Sequence, residues 1–232
     1  MPKLIQISDC HIDDQRLAMG VDSQKNLQSV IEYIQTVKSD ALLISGDLTH
    51  HGTLNSYRIL KKILSPIKRP IFVIKGNHDD AENLGQVFKE NLFKTFRLDN
   101  WEIISIDSVQ IGKTSGLASK AALLELDDTC LDSNADHVMV VLHHPIVPMN
   151  SSWDDELSLE NSQDLFKVLN KHSKIRSIVF GHAHEASEFS RLGKKIISCP
   201  STALQFNQET RIGFNEFELH KNGTINLKTQ WI

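Results

Sequence analysis

The sequence predicts an α/β fold in which two sheets pack face to face with helices outside. Three observations carry this. Five short apolar runs rich in Ile, Val and Leu ("LIQIS", "ALLIS", "PIFVIK", "HVMVVL" and "SIVF") read as strands buried on both faces. Helical patterns separate them, and strand–helix alternation implies largely parallel pairing in the first half. Near the end, "KKIISCPST", "RIGFNEFELH" and "GTINLKTQWI" are strand-like, with an Asn222-Gly223 turn before the last, which predicts an antiparallel meander.

In chain order, the first run ends in Asp9-Cys10-His11. A helix follows, with Leu27, Val30, Ile31, Ile34 and Val37 at i, i+3, i+4, i+7 spacing and Asp22 or Ser23 as its N-cap. The second run meets Gly46-Asp47 and then His50-His51; "LNSYRILKKIL" is the next helix, its basic end read as solvated. The third run meets Gly76-Asn77-His78-Asp79. Asp79 is expected either to orient His78 or to cap the helix "AENLGQVF". "SKAALLELDDTCL" precedes the fourth run, which meets His143-His144-Pro145, and "SLENSQDLFKVLNKH" precedes the fifth, which meets Gly181-His182-Ala183-His184.

The totals exclude several classes. The 232 residues contain no Pro/Gly/Ser-rich linker, so residues 1–232 are expected to form one domain. A formal net charge of −4 without clustered basic residues argues against a nucleic-acid groove. No apolar run approaches the ~18–20 residues of a membrane span, so no stable membrane association is expected. Three scattered cysteines do not make a disulfide framework, and the N-terminus lacks a signal-peptide pattern. A cytoplasmic location is the expectation.

All five polar clusters sit at strand ends, where ligand sites gather in open α/β sheets. Pooled, they offer Asp9, His11, Asp47, Asn77, His78, His143, His182 and His184. Carboxylates, imidazoles and a carboxamide without thiolate suit Mn, Fe or Zn rather than a structural Cys-type zinc. So many donors exceed one tetrahedral ion and suit two ions sharing a carboxylate. Asp9/His11 and His182/His184 are i, i+2 pairs, which face one way on an extended segment. Glycines before Asp47 and Asn77 allow the backbone to turn the next side chain inward.

Together Asp9-x-His11, Gly46-Asp47, Gly76-Asn77-His78-Asp79, His143-His144-Pro145 and Gly181-His182-x-His184 resemble the full motif series of the calcineurin-like binuclear metallophosphoesterases. Within that superfamily the chain is most similar to the class III cyclic-nucleotide phosphodiesterases, especially bacterial members acting on cyclic AMP. "GDLT", "IDS", "LHHPIVP", "CPSTALQF" and "ELHKNGTI" extend the similarity over nearly the whole chain.

The resemblance implies a four-layer α/β/β/α sandwich of two mixed sheets. It implies two metal ions, Fe and/or Mn foremost, with Mg, Zn and Co fitting the same donors. Asp9, His11 and His184 resemble the ligands of metal one, Asp47 the bridge, and Asn77, His143 and His182 the ligands of metal two. His78 resembles the catalytic residue that contacts the phosphate and helps the leaving oxygen depart; His11, Asp47, Asn77, His78 and His184 would face the substrate. The implied reaction is hydrolysis of 3′,5′-cyclic AMP to 5′-AMP by a hydroxide activated between the two ions. Two divalent ions against two carboxylates and a hydroxide leave one positive charge, which matches a diester monoanion. A glycerophosphodiesterase would show the same metal site. A lipid-linked UDP-sugar pyrophosphatase typically has Arg in place of His78, and a non-catalytic scaffold usually lacks ligands that are all present here. The partner expected is a small cyclic nucleotide, and the protein a monomer or homodimer.

The remaining residues receive ordinary readings. His50 and His51 follow the Gly46-Asp47 motif and could line the rim of the pocket, an ordinary loop position being the expectation; His144 is expected behind the ligands, and His137, His172 and His220 on the surface. Cys10 should point away from the metals. Trp153, on a polar loop, could cover a nucleobase or serve a packing contact.

Overall fold

The structure, a computed structural model, describes residues 1–232 apart from the side chains of Ser152 and Asp154. Its elements run β1 (Lys3–Ile7), α1 (Ser23–Thr36), β2 (Ala41–Ser45), α2 (Leu54–Leu64), β3 (Ile71–Ile74), α3 (Ala81–Phe88), β4 (Thr95–Leu98) and β5 (Trp101–Ser105). They continue with α4 (Lys120–Asp132), β6 (His137–Val141), α5 (Ser152–Glu156), α6 (Ser162–Lys171), β7 (Ile175–Phe180), β8 (Ser187–Arg191), β9 (Lys194–Ser198), β10 (Gly213–Leu219) and β11 (Ile225–Trp231).

One sheet has the order β11-β10-β1-β2-β3, the other β4-β5-β6-β7-β9-β8. Both are mixed. β1, β2 and β3 are parallel, and so are β5, β6, β7 and β9, while β10–β11, β4 and β8 supply antiparallel edges. Alternation along each strand builds the layers. Ile5, Ile7, Leu42, Ile44 and Val73 pack with the apolar faces of α1, α2 and α3. Val138, Val140, Ile178 and Ile196 do the same with α4 and α6. The opposite faces, with Leu4, Leu43, Trp101, Met139, Val141, Val179, Ile197 and Phe217, meet between the sheets. The result is the expected four-layer α/β/β/α sandwich.

The meander is narrower than the sequence suggests. β10 and β11 form a hairpin, but β9 lies in the other sheet, parallel to β7. The segment between Ser198 and Gly213 crosses from one sheet to the other. The strands β4, β5 and β8 have no counterpart in the sequence reading, because β4 and β8 are short, polar edges without a continuous apolar run. Asp22 is the N-cap of α1, accepting from the Lys25 backbone N–H at 3.1 Å.

Two buried amides pin the sheets to each other at the end where the polar clusters lie. Gln6 Nε2 donates to Ser45 Oγ (2.9 Å) and to the Phe180 carbonyl (3.2 Å). Asn215 Nδ2 donates to the Ser198 carbonyl at 3.1 Å. A buried amide left unpaired is costly, so these contacts favour one relative placement of the two sheets. No helix among the described residues is long and apolar enough to cross a membrane.

Candidate metal centre

The loops after β1, β2, β3, β6 and β7 converge at one end of the sandwich. Backbone pairing continues beyond the strands and aligns them: Asp9 N–H donates to the Gly46 carbonyl (3.1 Å), His11 N–H to Asp47 (3.0 Å) and Gly181 N–H to His143 (3.1 Å).

The same-facing geometry of Asp9/His11 and His182/His184 has a different origin from the extended backbone expected. Asp9, His11, Asp47, His182 and His184 all have positive φ, between 43° and 67°. An L-residue avoids that region by roughly 1–2 kcal/mol. Five such residues in one cluster mark a site where the fold overrides local preference. Of the two glycines, Gly46 does need its freedom, at φ 103°. Gly76 is needed for space, since a Cβ there would lie 2.8 Å from Asp47 Cγ.

Two groups of donor atoms result. In the first, His11 Nε2 is 3.1 Å from His184 Nε2, and His184 Nε2 is 3.4 Å from Asp9 Oδ1. In the second, Asn77 Oδ1 lies 3.1 Å from His143 Nε2 and 3.0 Å from His182 Nδ1, and those two nitrogens are 3.3 Å apart. Asp47 reaches both: Oδ2 is 3.6 Å from His11 Nε2 and Oδ1 is 3.3 Å from His143 Nε2. Sets of Asp9, His11 and His184, of Asp9, Asp47 and His143, and of His143, His144 and His182 each bring their ligand atoms within 4.8 Å of one another.

The electrostatics suit cations. Burial pushes His11 down to about 3 and His182 down to about 4, the latter helped by the charge of His143, so both rings are neutral and free to ligate. Burial opposes charge on His143 too, but Asp47 and Asp9 lift it to about 9. Against the cost of burial, the nearby histidines hold Asp9 at about 2 and Asp47 well below the usual carboxylate range. Without ions, Asp47 and Asp9 thus favour positive charge on His143, charge that a metal would supply. The outward ring nitrogens are anchored: His143 Nδ1 donates to the Ser45 carbonyl (2.9 Å) and His184 Nδ1 to that of Leu204 (2.8 Å). The donor set therefore fits two ions of the Fe, Mn or Zn type.

His78 turns away from Asn77, as neighbouring side chains should. Its Nδ1 donates to the His50 carbonyl at 2.9 Å, and its backbone N–H donates to Asp47 Oδ1 at 3.0 Å. An open cleft of about 560 Å³ is lined by Asn77 and the Gly112–Ser115 loop.

Several expectations need correction. His50 is part of the site: its ring stacks on His78 (5.0 Å, 19°) and its Nδ1 lies 3.4 Å from His11 Nδ1. His51 pairs instead with Asp13 at 2.5 Å. His144 does not hydrogen-bond to a ligand. Its Nδ1 accepts from Ser108 Oγ and its Nε2 donates to the Thr114 carbonyl, while its ring packs on His182 at 4.8 Å. Asp79 neither orients His78 nor caps α3. It accepts from the backbone N–H groups of Leu48, Thr49 and Gly76 and from Tyr57 Oη, tying the loops after β2 and β3 together; Asp80 is the cap. His137 and His172 are buried rather than on the surface, because each finds a partner there: the Lys221 carbonyl and Asp127 respectively. His220 is partly buried. Cys10 needs no correction: it lies in the apolar cluster with Ile12 and Leu27, its thiol pushed up to about 12 by burial.

One residue near the centre escaped the sequence reading. Phe206 stacks on the His184 ring at 4.0 Å and 9°. It lies far along the chain from any ligand motif; only its place in "CPSTALQF" hinted at it.

A two-group donor cluster at the strand ends of a double-sheet sandwich defines a binuclear metallophosphoesterase type of site, and the chain belongs to the calcineurin-like phosphoesterase family, whose model matches residues 2–186. A probable cyclic nucleotide phosphodiesterase of Ruthia magnifica subsp. Calyptogena magnifica is 58% identical over 98% of this chain and 97% of its own. The 3′,5′-cyclic adenosine monophosphate phosphodiesterase CpdA of Haemophilus influenzae is 29% identical over 99% of this chain and 90% of its own. Among solved structures, a dimetal phosphatase from Danio rerio shares the fold with a TM-score of 0.78, at 12% identity over 99% of this chain and 96% of that one.

Proposed function

We propose that the protein hydrolyses 3′,5′-cyclic AMP to 5′-AMP with two metal ions, Fe and/or Mn. The observation that carries this is the position of Asp47, one oxygen toward His11 and the other toward His143. In this reading Asp9, His11 and His184 would hold one ion, Asn77, His143 and His182 the other, and Asp47 would be shared by both. When bound, two such ions supply Lewis acidity, acidifying water and neutralising charge on the diester.

The chain's own residues do the rest. Asn77 and the buried histidines fix the donor positions before substrate arrives. The Nδ1–H of His78 is committed to the His50 carbonyl, so Nε2 is the nitrogen free to meet the leaving 3′ oxygen. It gives a proton there as the bond between phosphorus and that oxygen breaks. His50, stacked on the ring, limits its rotation. The names of the relatives support a cyclic nucleotide as substrate.

The test is a competition among cyclic AMP, cyclic GMP, glycerophosphodiesters and nucleoside monophosphates, with protein loaded with Mn or Fe. Turnover of the cyclic nucleotides in preference to glycerophosphodiesters and nucleoside monophosphates is expected. Preference for a glycerophosphodiester overturns the substrate, and no turnover by metal-replete protein overturns the enzyme.

A further inference from the structure

Phe206 and Trp153 share a feature that metal chemistry does not require. Both are large apolar side chains left exposed, 44% and 53%, at the edge of the centre. Their rings meet nearly perpendicularly, at 5.0 Å and 85°, and form an aromatic corner. Phe206 rests flat on His184, so the corner is attached to a proposed ligand of metal one.

Phe206 is also held in place from its own chain. The preceding residues are tied down: the Leu204 carbonyl accepts from His184 Nδ1, and Gln205 Nε2 donates to the Ser201 carbonyl at 2.8 Å. Ser201 Oγ in turn donates to the Asp9 carbonyl at 2.8 Å. Trp153 arrives from α5, between β6 and β7, far away in sequence. A fixed ring and a second ring at right angles offer a flat apolar ligand two contacts at once, face and edge.

We propose that this corner takes the purine base of the cyclic nucleotide and makes Phe206 and Trp153 specificity-determining residues. The inference rests on the cyclic-nucleotide reading above. Of the groups on such a substrate, only the base is flat and apolar-faced; the ribose and phosphate are polar. Stacking reads ring area rather than hydrogen-bond pattern, so purines are favoured over pyrimidines and cyclic AMP and cyclic GMP are separated little.

The experiment compares wild-type protein with Trp153→Ala, Phe206→Leu and Phe206→Tyr. Each is loaded with Mn and its bound metal is counted. The substrates are cyclic AMP and the base-free 1-deoxyribose 3′,5′-cyclic phosphate, which has the same reacting bonds. The ratio of kcat/KM for cyclic AMP over the base-free ester should fall about tenfold in Trp153→Ala and Phe206→Leu, mainly through KM. Phe206→Tyr should keep it. Trp153→Ala decides the matter if Phe206→Leu loses an ion, since Phe206 touches a proposed ligand. A ratio within about twofold of wild type in Trp153→Ala, with wild type active on cyclic AMP, overturns the inference alone. Wild type that turns over neither ester overturns the cyclic-nucleotide reading, and the inference with it.

Discussion

Replacing His78 with alanine separates proton delivery from metal holding. The side chain makes one hydrogen bond, to the His50 carbonyl at 2.9 Å, and two ring contacts, a stack on His50 and an edge contact with His11 at 4.8 Å. Its backbone N–H, which holds Asp47 Oδ1 at 3.0 Å, survives the substitution. Stability should therefore fall by only about 1–3 kcal/mol, and both ions should remain. A general acid contributes roughly 100- to 10,000-fold in rate, so kcat on cyclic AMP should fall within that range. The loss must also depend on the leaving group. The 3′ oxygen of a ribose leaves poorly as an alkoxide, whereas p-nitrophenolate departs unaided. With bis-p-nitrophenyl phosphate the loss should stay below about tenfold. Steady-state rates on both substrates, with metal analysis of the same samples, give the answer. Equal losses on the two substrates refute proton delivery by His78, and a missing ion refutes the division of roles.

Gly46→Ala should lower stability by roughly 2–5 kcal/mol, because its φ is 103° and its Cβ would lie 2.7 Å from His143 Cγ. Calorimetry should show Tm falling by about 5–15 °C, while Gly85→Ala, in α3 with nothing within 4 Å, should hold or raise it. In metal-free protein, burial and the charge of Asp47 push Asp79 up to about 6 from 3.8. Its folded carboxyl keeps a proton over that interval while the unfolded one is ionised, so wild-type stability falls as pH rises from about 4 to about 6. Denaturant titrations should show the wild-type advantage over Asp79→Asn shrinking by roughly 1–3 kcal/mol across that window, and a flat difference counts against the shift.

The sandwich and the ligand candidates were legible because both depend on short-range signals. An apolar run with a polar cluster at its end marks a strand and what it presents, and Asp9 through His184 were all found this way. The backbone state of those residues was not legible. Left-handed φ at Asp9 and His11 goes with pairing to the loop after β2, and at His182 with a backbone N–H donated to the Asp9 carboxylate, contacts that spacing cannot show. His50 stays between rim and ordinary loop for a similar reason: a histidine beside another in a loop looks solvated until a third ring, His78, stacks on it. His137 and His172 looked like surface residues because their buried partners, the Lys221 carbonyl and Asp127, are remote in sequence. The sequence pattern puts β9 in the meander, whereas it pairs with β7 in the other sheet, since a strand-like pattern records burial and not its neighbour.

The five left-handed residues make ion supply a folding variable. Each holds the chain in a state that L-residues avoid, so the loops around the centre are under tension before any ion arrives. Ions that bind only the folded form oppose that tension, by about 2.7 kcal/mol at a hundred times Kd. When metal is scarce, the chain therefore loses more than turnover. Less stable without ions, metal-starved copies should be the first to be degraded.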